Sequence, residues 1–347
     1  MKLTCQFLRF LGLVPLLGCF AIAGADGGKK AGFDRDWQKF PAIIDVKAEA
    51  EIYALGDVHG DYERLASLLA VNHLIEGRPA NPADVKWTGG KAALVCTGDL
   101  FDRWPQGVEV VQFFKALQAD AAQTGGRVVV TMGNHEAEFL ASSGDNHKTQ
   151  GFERELEEAE MDPRAVKLGR DPKGLGQFLR SLPVVAIVNG WCFLHAGNTH
   201  GLTRERLQTA LREDISREGF GAPILSDPDS LLEARLQPGP WWERGTKDAE
   251  EARTKLANLV RALGAEHLVV GHQPKKVVFA DGYVRRAGQM CERFDGLLFL
   301  IDVGMSRGID ASDGALLKVS ADGHRAIALD ASGKSSALWS AGGTGAR

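Results

Sequence analysis

Five short segments of the 347-residue chain carry side chains that can bind metal ions, each directly after an apolar run. The first is Asp57-Val-His59, which follows the run Ile52-Tyr-Ala-Leu55 and Gly56. Residues two apart on an extended chain point to the same side, so this carboxylate and this imidazole can converge on one cation. Carboxylate, imidazole and amide oxygen together suit borderline first-row metals without any thiolate. The segment therefore predicts half of a metal site.

The same arrangement recurs four more times. Apolar runs end in Gly98-Asp99-Leu-Phe-Asp102-Arg103, Gly133-Asn134-His135-Glu136, His195-Ala196-Gly197 and Gly271-His272. Glycine beside a motif lets the backbone turn sharply and approach a ligand closely. Open α/β sheets hold their ligands at the carboxyl ends of the strands, so we expect the five segments to meet at one edge.

The elements that must position these motifs follow from the apolar pattern. Apolar residues at helical spacing predict helices over 61–75, 104–124, 202–218 and 247–263. Strands that alternate with such helices predict a βαβ core with parallel pairing. After Gly282, short strands separated by Gly and Asp indicate a second sheet built partly of hairpins, and residues 331–347 are rich enough in Gly, Ser and Ala to predict a loose tail.

The five motifs, in this order, resemble those of the calcineurin-like metallophosphoesterases. Asp-Arg in the second motif and Glu at the end of the third are similar to the phosphoprotein phosphatase branch. Trp87-Thr-Gly-Gly90 and Gly239-Pro-Trp-Trp-Glu-Arg-Gly245 resemble segments of the bacterial Shewanella-like phosphatases. The resemblance implies one α/β domain over 34–330, a sandwich of two mixed β-sheets flanked by helices, with the active site at the C-terminal ends of strands.

The resemblance also implies two metal ions (Mn, Fe or Zn), with Asp99 bridging them. The six implied ligands are Asp57, His59, Asp99, Asn134, His195 and His272. The first three would bind one ion, and the last three would bind the other together with Asp99. Two such ions share a hydroxide and clamp the attacking and leaving oxygens of an in-line displacement.

Four further residues receive roles from the same resemblance. His135, expected in an extended loop, would act as general acid, and Asp102 would keep it charged. Arg103 and Arg244 would each place a planar guanidinium on phosphate oxygens. The other candidates for the second arginine, Arg212, Arg217 and Arg235, lie in stretches predicted to be helical and solvated.

Two positions depart from the family pattern, and one acidic segment has no assigned role. Trp104 stands where glycine is usual, and it either narrows the mouth of the site, stacks on an aromatic leaving group, or packs. Ala196 replaces another glycine, which is a mild change. The acidic helix predicted over 152–160 either forms a rim beside the site or is a solvated surface helix.

These residues predict hydrolysis of phosphomonoesters, on phosphoproteins or on small phosphorylated molecules. The alternatives are hydrolysis of phosphodiesters or dinucleoside polyphosphates, and a non-catalytic phosphate-sensing module, against which the pairing of His135 with Asp102 argues. The net charge of −4 and 25% charged residues offer no basic surplus for nucleic acid. Cys96 and Cys192 fall within apolar runs and are expected to be buried and inert.

The N-terminal 25 residues predict an export signal, because Lys2 and Arg9 precede a short apolar run that ends in small residues. Two processing routes remain open. Small residues around Ala23 suit a signal peptidase, whereas Leu16-Leu-Gly-Cys19 resembles a lipobox that would leave Cys19 lipidated and tether the protein to a membrane. We expect a periplasmic protein or a membrane-anchored lipoprotein.

Mass analysis of the mature N-terminus distinguishes the two routes. A lipidated Cys19 indicates tethering, and a start near Gly24 or Asp26 indicates a soluble exported protein. Intact Met1 on protein recovered from the cytoplasm would contradict export altogether.

Overall fold

The computed structural model of the chain describes residues 35–142 and 149–342. The predicted export signal over 1–25, including Cys19, lies outside these residues, and its export stays a prediction. Within the described ranges no helix has both the length and the apolar composition needed to cross a bilayer.

Fourteen strands, nine α-helices and three short 3-10 helices make up the regular structure of the described residues. The strands are β1 Ile43–Val46, β2 Ile52–Leu55, β3 Ala93–Cys96, β4 Arg127–Val130, β5 Val185–Val188, β6 Trp191–Leu194, β7 His267–Val270, β8 Val277–Val278, β9 Val284–Arg285, β10 Cys291–Arg293, β11 Leu298–Leu300, β12 Ala315–Val319, β13 Arg325–Asp330 and β14 Ser335–Ser340. The helices are α1 Tyr62–Val71, α2 Gly107–Gln123, α3 Asn134–Ala141, α4 Gln150–Glu158, α5 Pro163–Lys167, α6 Leu175–Ser181, α7 Arg204–Glu218, α8 Pro223–Ser226 and α9 Ala249–Ala262.

The strands form two mixed six-stranded sheets, as the family resemblance implies. One sheet has the order β1-β5-β6-β7-β11-β10 and the other β14-β13-β12-β2-β3-β4, and β8 and β9 form a separate pair. In the first sheet β6, β7 and β11 are parallel. In the second sheet β2, β3 and β4 are parallel, which confirms the predicted βαβ core.

Alternate residues of the central strands face different cores. Ala93 and Val95 of β3 contribute to a cluster that contains residues from both sheets, including Phe193 and Phe299. Leu94 and Cys96 of the same strand belong to the larger cluster that contains the apolar faces of the helices. Both faces of these strands are therefore buried, which explains why they appear in the sequence as continuous apolar runs.

The five predicted motifs follow five of the six parallel strands named above. They come after β2, β3 and β4 of one sheet and after β6 and β7 of the other. The sixth parallel strand, β11, is followed by Asp302, a residue to which the sequence analysis gave no role. The sandwich thus brings the carboxyl ends of two parallel ladders together.

The expected loose tail is wrong for residues 335–340. These residues form β14, which pairs antiparallel with β13. The turn between the two strands is fixed by the Asp330 carboxylate, which accepts hydrogen bonds from the Ser332 and Lys334 amides. Trp339 packs its ring 5.0 Å from that of His267. The sequence did not predict this strand, because its serine-rich residues lack the alternating apolar pattern of a half-buried strand.

The loops that carry the second and third motifs approach each other closely at Gly98. It has φ +96°, and a Cβ there would lie 2.4 Å from the Gly133 amide nitrogen. We expect Gly98→Ala to lower the free energy of unfolding by about 2–5 kcal/mol, since both the left-handed backbone and the collision are unfavourable.

Gly90→Ala is the matched control for this substitution. Gly90 also has positive φ, but a Cβ there would meet no atom within 4 Å. Gly90→Ala should lower the free energy of unfolding by only about 1–2 kcal/mol, because only the left-handed backbone conformation is unfavourable there. Equal losses in denaturant unfolding would show that the contact between the two loops does not limit residue size at position 98.

Candidate metal centre

The structure brings the six predicted ligands together in one buried cluster. Four of them offer ligand atoms within 4.8 Å of one another, namely Asp57, Asp99, His195 and His272. Asn134 joins them through its Oδ1, 3.0 Å from His195 Nε2. His59 Nε2 lies 3.6 Å from Asp99 Oδ2 and 3.8 Å from Asp57 Oδ2.

The two carboxylate oxygens of Asp99 face different histidines. Oδ2 lies 3.6 Å from His59 Nε2, whereas Oδ1 lies 3.4 Å from His195 Nε2. A carboxylate placed between two imidazoles in this way has one oxygen for a cation on either side. This geometry supports a site for two ions, with Asp99 between them.

Main-chain carbonyls fix the orientation of all three histidines in the cluster. His59 Nδ1 lies 3.2 Å from the Phe101 carbonyl, and His195 Nδ1 lies 2.8 Å from the Thr97 carbonyl. The His272 ring is hydrogen-bonded to the main chain of Glu233. When Nδ1 carries the donated proton, Nε2 keeps its lone pair for a metal, and such bonds fix metal-binding imidazoles in other proteins.

The chemistry of the cluster fits cations. His272 Nε2 is buried and has no hydrogen-bond partner among the described residues, and neither has Asp302 Oδ2. Unpaired buried polar atoms are rare in native structures and call for an unseen partner such as an ion. An imidazole nitrogen and a carboxylate oxygen without donors both suit a borderline divalent metal.

The electrostatics of the cluster favour neutral imidazoles on its two sides. Burial lowers the pKa of His59 to about 4 against the opposing effect of the Asp99 charge, and burial together with the His195 charge lowers the pKa of His272 well below its ordinary value. Neutral imidazole is the form that binds a metal. Burial by itself would lower the pKa of His195, but the charges of Asp99 and Asp57 raise it to about 10. The carboxylates thus attract positive charge to the centre of the cluster.

Several motif residues adopt backbone conformations that are unfavourable for non-glycine residues. His59, Asp99, Asp102, Arg103 and His272 all have φ between +45° and +73°. Each such residue costs of order 1–3 kcal/mol, and such strain concentrates at functional sites. The hydrogen bonds from the Val58 and His59 amides to the Asp99 carbonyl offset part of it.

The third motif is helical, so the expectation that His135 lies in an extended loop is wrong. Helix α3 begins at Asn134. The buried Glu136 carboxylate accepts hydrogen bonds from the amides of Gly133, Asp99 and Leu100 at 2.7–3.0 Å. These bonds cap the helix and join it to the loop after β3. The bond from Gly133 is local in sequence, whereas the bonds from Asp99 and Leu100 depend on the neighbouring loop and do not follow from sequence spacing.

His135 nevertheless faces the cluster and is hydrogen-bonded to Asp102. Its Nδ1 is 2.7 Å from Asp102 Oδ2, and its Nε2 is 3.9 Å from Asp99 Oδ2 at the edge of the cluster. Burial by itself would lower the pKa of His135, but Asp99 and the hydrogen bond to Asp102 raise it above the ordinary value.

The acidic helix α4 packs against the loop that carries Asp102. The Phe152 amide donates to Asp102 Oδ1 at 3.2 Å, so the two oxygens of Asp102 hold a helix and an imidazole at once. Glu155 accepts hydrogen bonds from the Gly107 and Val108 amides at the start of α2. Of the two interpretations left open, contact beside the site is the one that the structure supports.

Arg103 and Trp104 lie at the rim of the same loop. Arg103 is exposed, and its charge is close enough to His59 to contribute to the lowered pKa of that ring. The Arg307 guanidinium lies 4.5 Å from the centre of the Trp104 ring and pairs with Asp61. Of the roles considered for Trp104, packing is the one with a partner in the structure.

The two remaining arginines have different partners in the structure. Arg244 pairs with Asp229 and has 47% of its side chain exposed; among the described contacts it binds this carboxylate rather than any proposed ligand. Arg235, which we expected in a solvated helix, lies outside any helix and donates from Nη1 to the His272 carbonyl at 3.1 Å. Its neighbours Ala234 and Leu236 are buried, whereas the sequence predicted a solvated helix there.

Asp302 is the residue of the site that the sequence analysis missed. Its carboxyl is buried beside Asp57, and burial raises its pKa to about 6. The signal was present, because the apolar run of β11 ends in Ile301-Asp302 just as the other runs end in their motifs.

Comparison with known proteins shows which family the chain is similar to. The family model described as calcineurin-like phosphoesterase matches residues 50–276. An uncharacterised protein of Schizosaccharomyces pombe is 31% identical over 90% of this chain and 92% of its own length. The Shewanella-like protein phosphatase 1 of Plasmodium berghei is 28% identical over 75% of this chain and 68% of its own length.

Two further matches cover different shares of the chain. The solved structure of a cold-active protein-tyrosine phosphatase from a psychrophilic Shewanella species has a TM-score of 0.62 at 21% identity, covering 86% of this chain and 82% of that chain; this shows a shared fold. The symmetrical bis(5'-nucleosyl)-tetraphosphatase of Methylococcus capsulatus is 34% identical over 150 residues, 42% of either protein.

Metal binding should stabilise the protein, because cations relieve the repulsion among the buried carboxylates. We expect stripping with a chelator to lower the melting temperature and added Mn²⁺ to restore it, since a ligand at about a hundred times its Kd contributes about 2.7 kcal/mol. His272→Gln should reduce both the metal content, measured by mass spectrometry, and this stabilisation.

His324→Gln is the control, because the His324 side chain is exposed and the described hydrogen bonds of this residue, to the Asp322 carboxylate and the Ala341 amide, come from its backbone. Full metal content in His272→Gln, or a wild-type melting temperature that does not respond to metal, would contradict the assignment of the cluster.

Proposed function

The chain belongs to the calcineurin-like phosphoesterase family and is a hydrolase, and we propose that it hydrolyses phosphomonoesters, on phosphoproteins or small phosphorylated molecules. The observation that carries the proposal is the placement of His135. Its Nε2 faces the cluster while its Nδ1 is held by Asp102. A module that only binds phosphate has no need of an oriented proton donor.

We propose that the two ions are held by the ligand set that the family resemblance implies. Asp57, His59 and Asp99 would bind one ion, and Asn134, His195 and His272 would bind the other together with Asp99. When bound, the ions supply Lewis-acid polarisation of the phosphoryl group and activation of the attacking water. The identity of the metal, among Mn, Fe and Zn, is part of the proposal.

The chain's own residues orient the substrate and move the proton. Arg103 is exposed at the rim beside His59, where its planar fork can bind two phosphoryl oxygens. His135 donates its Nε2 proton to the leaving oxygen, and Asp102 stabilises the orientation and the charge of the imidazole before the transfer. Helix α4 fixes Asp102 through the Phe152 amide, so that the donor keeps its place as the proton leaves.

Hydrolysis of dinucleoside polyphosphates is the second candidate, favoured by the similarity to the tetraphosphatase over 150 residues. The relative named a Shewanella-like protein phosphatase covers 75% of this chain, which supports the first candidate. We propose the monoester activity as the main one. A panel of mono- and diesters and bis-nucleosyl tetraphosphate, assayed on metal-stripped protein with Mn, Zn or Fe added back, separates the two.

The acid role of His135 predicts a dependence on the leaving group. We expect His135→Asn to lower kcat by roughly 10²-fold or more for alkyl phosphates, in the range usual for general acids. The loss should be much smaller for p-nitrophenyl phosphate, whose leaving group departs without a proton.

Metal content should stay near wild type in this variant, because His135 is not a proposed ligand. His324→Asn is the control for the effect of the same substitution away from the site, because His324 is exposed and far along the chain. The same loss for good and poor leaving groups would refute the proton-donor role and leave only a structural role for His135.

A further inference from the structure

The hairpin of β8 and β9 has one solvent-facing side that combines apolar and basic side chains. Val278 lies opposite Val284 in the ladder, and their side chains are 41% and 42% exposed, while the other pair of the ladder is buried. Because side chains alternate along a strand, the continued register puts exposed Lys276 opposite exposed Arg286 on the side of the valines. These four residues are called the outer face of the hairpin below.

We propose that the outer face docks a polypeptide that carries the phosphomonoester. The polypeptide would contact it through a carboxylate and an apolar side chain a few residues away from the phosphorylated residue. The inference rests on the proposed function and deepens it, because it selects phosphoproteins over small phosphorylated molecules as the substrates of the same cluster.

The first observation is a pair of like charges without counter-ions. Among the described residues no carboxylate lies within ion-pair distance of Lys276 or Arg286, whereas Arg293 beside the hairpin pairs with Asp281. Like charges directly opposite each other on two strands destabilise the pair. A carboxylate between Lys276 and Arg286 relieves this repulsion, so the outer face is electrostatically complementary to an acidic partner.

The second observation is the concentration of exposed apolar side chains in this hairpin. The described residues include five large hydrophobic side chains that are exposed, and three of them, Val278, Tyr283 and Val284, belong to the hairpin. Adjacent exposed apolar side chains with a charged rim are typical of interaction sites. Free phosphate gains nothing from two valines, whereas a polypeptide offers carboxylates and apolar side chains together.

The third observation is the rigid link between the hairpin and the metal cluster. The buried Arg285 guanidinium donates to the main-chain carbonyls of Gln273 and Lys275, which follow His272, and to that of Asp302. The hairpin also follows β7, so it leaves the sandwich at the same edge as the five motifs. A substrate bound at the cluster therefore finds the outer face in a fixed place.

The chain between His272 and the outer face sets the spacing of the docking residues on the substrate. Lys276 is four residues after His272. An extended chain advances by at most about 3.6 Å per residue, so the outer face begins within about 14 Å of this proposed ligand. About four extended residues of a substrate span the same distance. We therefore expect the docking carboxylate at about that spacing from the phosphorylated residue.

An anionic membrane surface is the competing partner for a basic and apolar face. The tip of the hairpin carries Asp281, which is exposed and which anionic headgroups repel. Membrane attachment also gives no reason for a buried arginine to fix the hairpin to Gln273 and Asp302 beside the cluster. The observations therefore favour a polypeptide.

The test compares how the metal-loaded protein hydrolyses two phosphopeptides and p-nitrophenyl phosphate. The acidic peptide has Glu-Leu-Glu on both sides, beginning about four residues from the phosphorylated residue, and the neutral peptide has Ser-Ser-Ser there. Each peptide is made with phosphoserine and with phosphotyrosine. We expect kcat/KM of the wild type to be about 10-fold higher for the acidic peptide, and this preference to fall as salt is added.

Two double variants remove the charges and the apolar pair separately. Lys276→Ser with Arg286→Ser should lower kcat/KM for the acidic peptide about 10-fold, mainly through KM, because each exposed ion pair contributes up to about five-fold. Val278→Ser with Val284→Ser should give a smaller loss for the same peptide. The values for the neutral peptide and for p-nitrophenyl phosphate should stay at the wild-type level in both variants.

Lys115→Ser and Leu168→Ser are the matched controls. Lys115 is exposed on α2, and Leu168 is 51% exposed directly after α5. Both variants should keep the wild-type ratio between the acidic and the neutral peptide. Metal content is measured in every variant, so that a change at the cluster is not mistaken for a change in docking.

Several outcomes would overturn the proposal. Equal kcat/KM for the two peptides in the wild type would refute docking, as would equal losses for the acidic peptide and p-nitrophenyl phosphate in the Lys276 and Arg286 variant. Binding to phosphatidylglycerol vesicles that this variant abolishes, without any peptide preference, would assign the outer face to a membrane. A dimer in sedimentation that dissociates in the Val278 and Val284 variant would assign it to a second copy of the chain.

Failure of docking is distinct from failure of the proposed function. If the metal-loaded wild type hydrolyses p-nitrophenyl phosphate but shows no peptide preference, only the docking proposal fails. If it hydrolyses neither the peptides nor p-nitrophenyl phosphate, the monoester activity itself is refuted.

Discussion

The burial of neighbouring carboxylates is the constraint on which the rest of the site depends. Asp57, Asp99 and Asp302 are all almost fully buried in one cluster. Like charges in a low-dielectric interior are strongly unfavourable unless cations or protons compensate them. The protein supplies partial compensation through His195, whose pKa the carboxylates raise to about 10. Two bound cations would complete it, so metal binding and the stability of this edge of the sandwich are coupled.

The loops around the cluster are held by bonds to the backbone rather than by apolar packing alone. Glu136 joins α3 to the loop after β3 through three amides. Asp102 joins α4 to His135. Both carboxylates take the same role: each accepts hydrogen bonds from elements that are distant in sequence and fixes them around the ligands. Strained residues such as His59 and His272 are held by bonds of the same kind, because the His59 amide donates to the Asp99 carbonyl and the His272 amide donates to Asp57 Oδ1.

The charges at the rim complement those at the centre. Arg307 is neutralised by Asp61 and lies against Trp104, which makes this pair part of the wall. Arg103 and Arg235 have no carboxylate within ion-pair distance among the described residues, and Arg235 donates to the His272 carbonyl. The distinction between paired and unpaired arginines separates supporting residues from those available to an anionic substrate.

The sequence by itself determined the parallel strands, the five motifs at their carboxyl ends and the residues that meet there, because an apolar run followed by a ligand pair is a local pattern. It also contained Asp302 in the same pattern, directly after an apolar run that was predicted to form a strand. Only the tertiary structure decided that residues 335–340 form a strand, that α4 supports Asp102, and that Arg235 rather than Arg244 contacts a ligand motif. These outcomes depend on contacts between segments far apart in the chain, and periodicity within one segment carries no information about its partners.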